Sequence, residues 1–184
     1  MSNPIIVLTG PSGAGKTTLC NYLVRKHGFV KPKTFTTRPK RSEEDEEAYV
    51  FVNESEFRKK LDNNEILEHV EAFGNYYGSP TEPFKNGHKI AIPLTYKGAK
   101  FVRNHYPGAK VIKLNITKDT LLQRVKTRSF IEEKELAMRL QELEQIDHEA
   151  EHDYVLDSDR PIQETEAEID KIIEQVSQPV RKVA

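Results

Sequence analysis

Residues 10 to 17 read Gly-Pro-Ser-Gly-Ala-Gly-Lys-Thr and follow directly on the apolar run Ile5-Ile6-Val7-Leu8. No other stretch constrains the fold as strongly. A short buried strand that ends in a glycine-rich turn points successive N–H groups inward, and the helix that follows offers its positive N-terminus to the same phosphates. Thr17-Thr18-Leu19-Cys20-Asn21-Tyr22-Leu23-Val24 continues in residues compatible with that helix, and Gly28 suits its stop. Gly10, Gly13 and Gly15 let backbone approach phosphate closely, with Pro11, Ser12, Ala14 and Thr18 completing the loop. Lys16 is placed to reach the terminal phosphates, and the Thr17 hydroxyl to ligate Mg²⁺. The pattern implies a chain that binds a nucleoside triphosphate.

At 184 residues the chain suits one domain able to bury a substantial core. Its 28 basic and 29 acidic side chains leave a net charge of −1, so no global field draws nucleic acid or an anionic membrane. The single cysteine, Cys20, excludes an internal disulfide and reads as a small buried side chain in the first helix. The opening Met-Ser-Asn-Pro carries no positive charge, and an apolar run of only four residues precedes Thr9. That is too short for a signal peptide or a membrane span, so the expected compartment is the cytoplasm.

Strand-like runs recur at Ile5–Leu8, Tyr49–Val52, Ile66–Phe73, Lys89–Leu94, Val111–Ile116 and Tyr154–Leu156. Helical patterns lie between them. Asn53-Glu54-Ser55-Glu56 has a cap residue with an acid three positions later. Leu121, Leu122 and Val125 form one amphipathic stretch, and Leu136, Leu140, Leu143 and Ile146 form another. Ile162, Ile169, Ile172, Ile173 and Val176 form the last, ended near Pro179. Strands alternating with helices predict right-handed crossovers and an α/β fold with a mainly parallel sheet flanked by helices. The stretch from Thr34 to about Gly87 breaks the rhythm and reads as an inserted β-rich lobe.

That lobe holds Thr34-Phe35-Thr36-Thr37-Arg38-Pro39-Lys40-Arg41, then Tyr49, Glu68 and Gly74-Asn75-Tyr76-Tyr77-Gly78-Ser79. Two arginines three apart in an extended segment can aim guanidinium forks at one phosphate, and tyrosine hydroxyls can complete its shell without adding charge. Taken with the loop Gly-Pro-Ser-Gly-Ala-Gly-Lys, the run Thr-Thr-Arg-x-x-Arg, the later Tyr-x-Phe-Val and the Gly-Asn-Tyr-Tyr-Gly-Ser block, the chain resembles guanylate kinase. The spacing match runs from residue 5 to about 80 and resumes from Leu121 through Asp159.

The resemblance implies a P-loop NTPase core (1–33, 88–125 and 140–184), a GMP-binding lobe (34–87) and a helical lid (126–139). It implies ATP-dependent phosphorylation of GMP with Mg²⁺ as cofactor. Arg38, Arg41, Tyr49 and Tyr77 would hold the GMP phosphate, and Thr34, Glu68, Ser79 and Thr95 would read the guanine. Arg124 and Arg128 would touch ATP. Lys16, Arg38, Arg128 and Arg139 would act in catalysis, the lid arginines embracing the transferred phosphoryl group. The implied partners are small nucleotides alone, without nucleic acid or membrane, and the implied state is a monomer or weak homodimer. A carboxylate suits guanine because its two acceptors match N1–H and the 2-amine side by side, whereas the unprotonated N1 of adenine repels it.

Three departures from the family pattern stand out. Pro93 and Thr95 occupy the positions of an Asp-x-Asp pair, the connection Pro80–Gly87 is too short for the family's usual helix, and Asp157 replaces an asparagine near the adenine site. The acidic run Glu43–Glu47 reads as a solvated loop. Two alternatives stay open: a kinase for another phosphorylated acceptor such as ribose 1,5-bisphosphate, and a non-catalytic guanylate-kinase-like binding module.

Overall fold

The computed structural model describes residues 3–40, 48–72, 74–128 and 151–177, with the side chains of 125–128 excepted. The acidic run Glu43–Glu47, the helical period from Leu136 to Ile146 and most of the proposed lid, residues 129–139, lie outside the described residues.

Strand β1 (Ile5–Thr9) is buried along its whole length. It sits inside a four-stranded sheet because neighbours flank it on both sides: β6 (Ile90–Pro93) and β7 (Lys110–Asn115), with β8 (Tyr154–Asp157) beyond β7. Every pairing in this sheet is parallel. The order β6-β1-β7-β8 requires helical crossovers, and a parallel sheet so made is covered on both faces. Alternate residues of β1 therefore serve different cores. Ile6 and Leu8 pack with Leu19 and Leu23 of helix α1 (Lys16–His27) and Ile169 and Ile173 of helix α6 (Ile162–Ser177). Ile5 and Val7 pack with Ala99 and Val102 of helix α4 (Tyr96–His105). Cys20 is fully buried in the first of these cores, and that burial pushes its thiol up to about 12. It is a packing residue.

A second sheet lies between α1 and β6 in the chain, ordered β3-β2-β5-β4. Its strands are β2 (Thr34–Thr36), β3 (Tyr49–Phe51), β4 (Ile66–Ala72) and β5 (Asn75–Pro80). Helix α2 (Glu54–Asp62) carries the capping box the sequence predicts. The Asn53 side chain accepts from the Glu56 N–H, and the Glu56 carboxylate accepts from the Asn53 N–H. Phe57 of α2 stacks on Tyr76 at 5.5 Å and meets His69 edge-on at 6.3 Å, so α2 covers one face of this sheet.

The structure departs from the sequence reading at four elements. Strands β2 and β5 went unread, since β2 has three residues and β5 is the polar run Asn-Tyr-Tyr-Gly-Ser-Pro. Helix α4, also unread, starts from a Thr95 N-cap. The connection Pro80–Gly87, too short for the family's usual helix, holds a single unread turn, α3 (Glu82–Lys85). Pro83 is tolerated there because a helix's first N–H groups have no intrahelical partner, and Phe84 anchors the turn in the second core.

The C-terminal turn of α1 is tied to α6 through Asp170. Its carboxylate accepts from Lys26 Nζ (2.6 Å) and Tyr22 Oη (2.9 Å) and pairs with His27 Nε2 (2.7 Å). Partial burial pushes the Asp170 carboxyl up, but the hydrogen bonds from Lys26, His27 and Tyr22 outweigh it and hold the group below the usual carboxylate range. A carboxyl depressed by folding stabilises the protein above its unfolded pKa, and the gain fades as pH falls through the folded value. Asp170→Asn is expected to cost about 1 kcal/mol at pH 7, a loss of roughly 2–4 °C in Tm. The deficit should shrink as the pH of the melt is lowered below 4, which thermal unfolding across pH 3–7 checks.

Candidate active site

The turn after β1 is built by steric exclusion. A Cβ on Gly10 would stand 2.8 Å from the Leu114 carbonyl oxygen of β7, and the Gly10 φ is +135°. Gly13 and Gly15 are also in left-handed conformations, at +98° and +95°. The Ala14 N–H closes the turn on the Pro11 carbonyl at 3.1 Å. Helix α1 begins at Lys16 with no side-chain cap at Gly15 and no acid in its first turn. Its first N–H groups and the positive end of its dipole are thus left for an anion. Lys16 Nζ donates to the Gly10 and Pro11 carbonyls, at 2.6 and 2.8 Å, holding the ammonium over the loop. Thr17 and Thr18 are exposed beside it.

Arg124 of α5 (Lys118–Arg128) flanks the same loop. Its Nη1 donates to Ser158 Oγ at 3.2 Å and its Nη2 to the Ser158 carbonyl at 2.5 Å. Ser158 is 5% exposed, and its hydroxyl donates in turn to the Ala14 carbonyl. A Cβ on Gly15 would lie 3.8 Å from Ser158 Oγ and 4.0 Å from Arg124 Nη1. The serine is therefore a bridge between the loop and the arginine. Asp159 fixes the start of α5 to the end of β8. Burial pushes its carboxyl up, but bonds from the Thr117 N–H and the Thr120 and Thr117 hydroxyls bring it below the usual range.

Register places the residues singled out in the inserted lobe. Thr34 pairs with Tyr49, Thr36 with both Phe51 and Tyr77, and Ser79 with Glu68. Residues directly opposite share a face, as do residues two apart on a strand. Thr34, Thr36, Tyr49, Phe51, Tyr77, Ser79 and Glu68 therefore all line the face away from α2. Glu68 reaches it only through an irregularity. Ile66 pairs with Pro80 but Glu68 with Ser79, a shift of one residue at Leu67. Regular alternation would have left Glu68 on the side of Ile66, which packs toward Phe57 and Gly78.

That face carries a cation held over aromatic rings and a desolvated carboxylate. The Arg38 guanidinium lies over the Tyr49 ring at 5.3 Å and the Phe51 ring at 5.9 Å, and Tyr77 meets Tyr49 edge-on at 6.4 Å. Glu68 is 9% exposed and its Oε1 accepts from Ser79 Oγ at 2.5 Å. Burial pushes the Glu68 carboxyl above its ordinary value, the Ser79 hydroxyl opposing. Thr95 stands by as the N-cap of α4, its hydroxyl accepting from the Gly98 N–H at 3.3 Å. Asp157 accepts from Arg160 Nε at 3.0 Å. Among the described residues no three His, Cys, Asp or Glu side chains gather as a metal cluster.

The sequence matches the family model for guanylate kinase over residues 2–176. It is 32% identical over 162 residues to a guanylate kinase of Clostridium acetobutylicum, spanning 84% of this chain and 78% of that one. It is 34% identical over 178 residues to a guanylate kinase of Alkalilimnicola ehrlichii, spanning 91% and 88%. The crystal structure of guanylate kinase from Anaplasma phagocytophilum superposes with a TM-score of 0.69 at 26% identity, over 97% of this chain and 88% of that one. The chain belongs to the guanylate kinase family.

The structure describes most of the residues expected at the site. Gly10 through Thr18 and Arg124 surround the phosphate turn, and Thr34, Arg38, Tyr49, Glu68, Tyr77 and Ser79 share or adjoin one face of the second sheet. Arg41 and Arg139 lie outside the described residues, and Arg128 is the last residue of α5. One residue beside the phosphate turn that the sequence reading missed is Ser158. The signal was its place just after β8, since parallel sheets collect ligands at the carboxyl ends of their strands. Ser158→Ala removes both hydroxyl bonds at once while leaving the Arg124–carbonyl contact. It should lower kcat roughly tenfold with the KM for the acceptor unchanged. Steady-state kinetics with each substrate varied in turn checks the split.

Proposed function

We propose that this guanylate kinase uses Mg²⁺·ATP and GMP as its substrates in the cytoplasm, as a monomer or weak homodimer. The observation that carries this reading is a complete phosphate loop in a chain whose second sheet joins Glu68 to Ser79. The core is residues 1–33, 88–125 and 140–184, the acceptor lobe 34–87 and the lid 126–139.

ATP lies with its phosphates in the turn from Gly10 to Gly15, against the first N–H groups of α1, and Lys16 swings from the loop carbonyls to the terminal phosphates. Arg124 approaches from α5. GMP places its phosphate at Arg38 (with Arg41), Tyr49 and Tyr77, and its base at Glu68, Ser79 and Thr34, with Thr95 close by. An oxygen of the GMP phosphate forms a bond to the γ-phosphorus in line with the bond to the departing ADP oxygen, which breaks. The acceptor oxygen is already ionised at neutral pH, so no general base is required. Catalysis rests on alignment and on neutralising charge with Lys16, Arg38, Arg128 and Arg139.

Mg²⁺ fits the donor set. The exposed Thr17 hydroxyl, a hard oxygen in the first turn of α1, suits an ion that keeps several waters and arrives on phosphates. Thr17 would hold the ion at the loop, where it would supply neutralisation of phosphate charge.

A coupled ADP-release assay across GMP, AMP, dGMP, UMP and ribose 1,5-bisphosphate tests the assignment, with GMP expected to be the best acceptor. Turnover of ribose 1,5-bisphosphate but not GMP would overturn it. Lys16→Met removes the charge at the terminal phosphates and should cut kcat by about 10²–10³, with an unchanged circular dichroism spectrum showing that the fold persists.

Glu68→Gln exchanges one of two acceptors for a donor facing guanine N–H groups. The GMP kcat/KM should fall roughly ten- to hundredfold while the ATP KM holds. Because the folded Glu68 pKa is raised, the carboxyl protonates as pH falls through a value above the ordinary carboxylate range. The wild-type GMP kcat/KM should drop there, on a limb that Glu68→Gln lacks; a pH profile from 4 to 8 reads it.

A further inference from the structure

The base-reading glutamate belongs to the second sheet, but what it rests on belongs to the core. Gly98 lies in the first turn of α4, in helical conformation, outside the left-handed region that favours glycine. Alanine would be the better helix former at such a position. What excludes a side chain is Glu68. A Cβ on Gly98 would stand 2.7 Å from Glu68 Oε2 and 3.2 Å from its Cδ, with the Leu94 Cβ at 3.4 Å on another side. The other carboxylate oxygen, Oε1, is engaged by Ser79 Oγ. The carboxylate is thus held at both ends, by a hydroxyl from its own sheet and by a bare Cα from the core helix. The same Gly98 N–H is drawn toward Thr95 Oγ1, so Thr95 shapes this turn from its cap position.

We infer that Gly98 is a specificity-determining positioning residue: its missing side chain is the seat that fixes where Glu68 presents its acceptors to the acceptor base. The inference rests on the reading of Glu68 as the guanine reader given above. Guanine's N1–H and 2-amine are matched by a carboxylate in one orientation, and a methyl at position 98 displaces it. The clashing atoms are the end of a flexible side chain, so the protein accommodates the methyl by moving Glu68 off Ser79 rather than by unfolding. Thr95 occupies the position of a family acid, and the helix turn it caps takes over part of the task of setting the base site.

The test is a double-mutant cycle on the full chain with GMP and inosine monophosphate, which keeps N1–H and lacks the 2-amine. Gly98→Ala should lower the GMP kcat/KM roughly ten- to hundredfold, mainly through KM, narrow the preference for GMP over inosine monophosphate, and leave the ATP KM unchanged. In a Glu68→Ala background the same substitution should have no further kinetic effect. Thermal melts add an independent reading: with the carboxylate gone, Gly98→Ala should raise Tm by about 2 °C more than it does in the wild-type background. Unchanged GMP kinetics in Gly98→Ala, or an equal loss in both backgrounds, would overturn the inference. Normal GMP kinetics in Glu68→Ala alone would instead overturn the reading of Glu68, which separates the two failures.

Discussion

Backbone packed on backbone sets the rest of the structure. The Cα of Gly10 lies so close under the Leu114 carbonyl that no side chain fits between them, and this contact turns the chain out of β1 at the carboxyl edge of the sheet. β1 can occupy the centre of the sheet because its residues are apolar on both faces. The turn then hands the chain directly to α1, whose Leu19, Cys20 and Leu23 pack back on the same sheet. Lys16 and the first N–H groups of α1 are therefore aimed by two buried cores. The phosphate site owes its rigidity to apolar burial and its affinity for anions to what the loop leaves uncapped.

The second sheet solves a different problem: on the proposed function it presents Arg38 and the Glu68 carboxylate to two ends of the same small ligand. Arg38 is held over the faces of Tyr49 and Phe51, which orient a guanidinium without adding negative charge that would compete with a phosphate. Its backbone N–H is fixed by the Thr36 hydroxyl at 3.2 Å, and Thr37 Oγ1 accepts from the Tyr76 N–H at 2.9 Å, closing β2 onto β5. Glu68 is placed by the shift of register at Leu67, which sends Leu67 to the second core and turns the carboxylate to the opposite face from Ile66. One extra residue in a strand thus serves packing and recognition together.

The legibility of these features in the chain follows their physical origin. The phosphate loop and the Asn53 capping box depend on contacts within a few residues, and the apolar strands β1, β6 and β7 and the last helix carry their burial as a local hydrophobic pattern, so the sequence states them openly. β5 was opaque because Asn-Tyr-Tyr-Gly-Ser-Pro is stabilised by pairing with β2 and β4 rather than by its own propensity. The one-turn helix at Glu82–Lys85 depends on Phe84 reaching the core, a contact no local pattern reveals. Among site residues, those in contiguous motifs were readable, while Ser158 was not. Its importance comes from a buried hydroxyl spanning Ala14 and Arg124, residues 144 and 34 positions away in the chain.

The two sheets are coupled through polar atoms as well as apolar ones, and this bears on the missing acids. A carboxylate at position 95 would bring a second negative charge toward the turn against which Glu68 already sits desolvated. Like charges in a buried space push one another toward the neutral form, an opposition this chain does not carry. A threonine there caps α4 through Gly98 without that penalty, and Pro93 before it ends β6 without a charge of its own. The site that results relies on one carboxylate, seated between the Ser79 hydroxyl and the Gly98 Cα, rather than on several sharing the base. On the proposed reading of Glu68 as the base reader, discrimination between bases depends on how firmly that single group is held, so the packing of α4 against β4 serves specificity as well as stability.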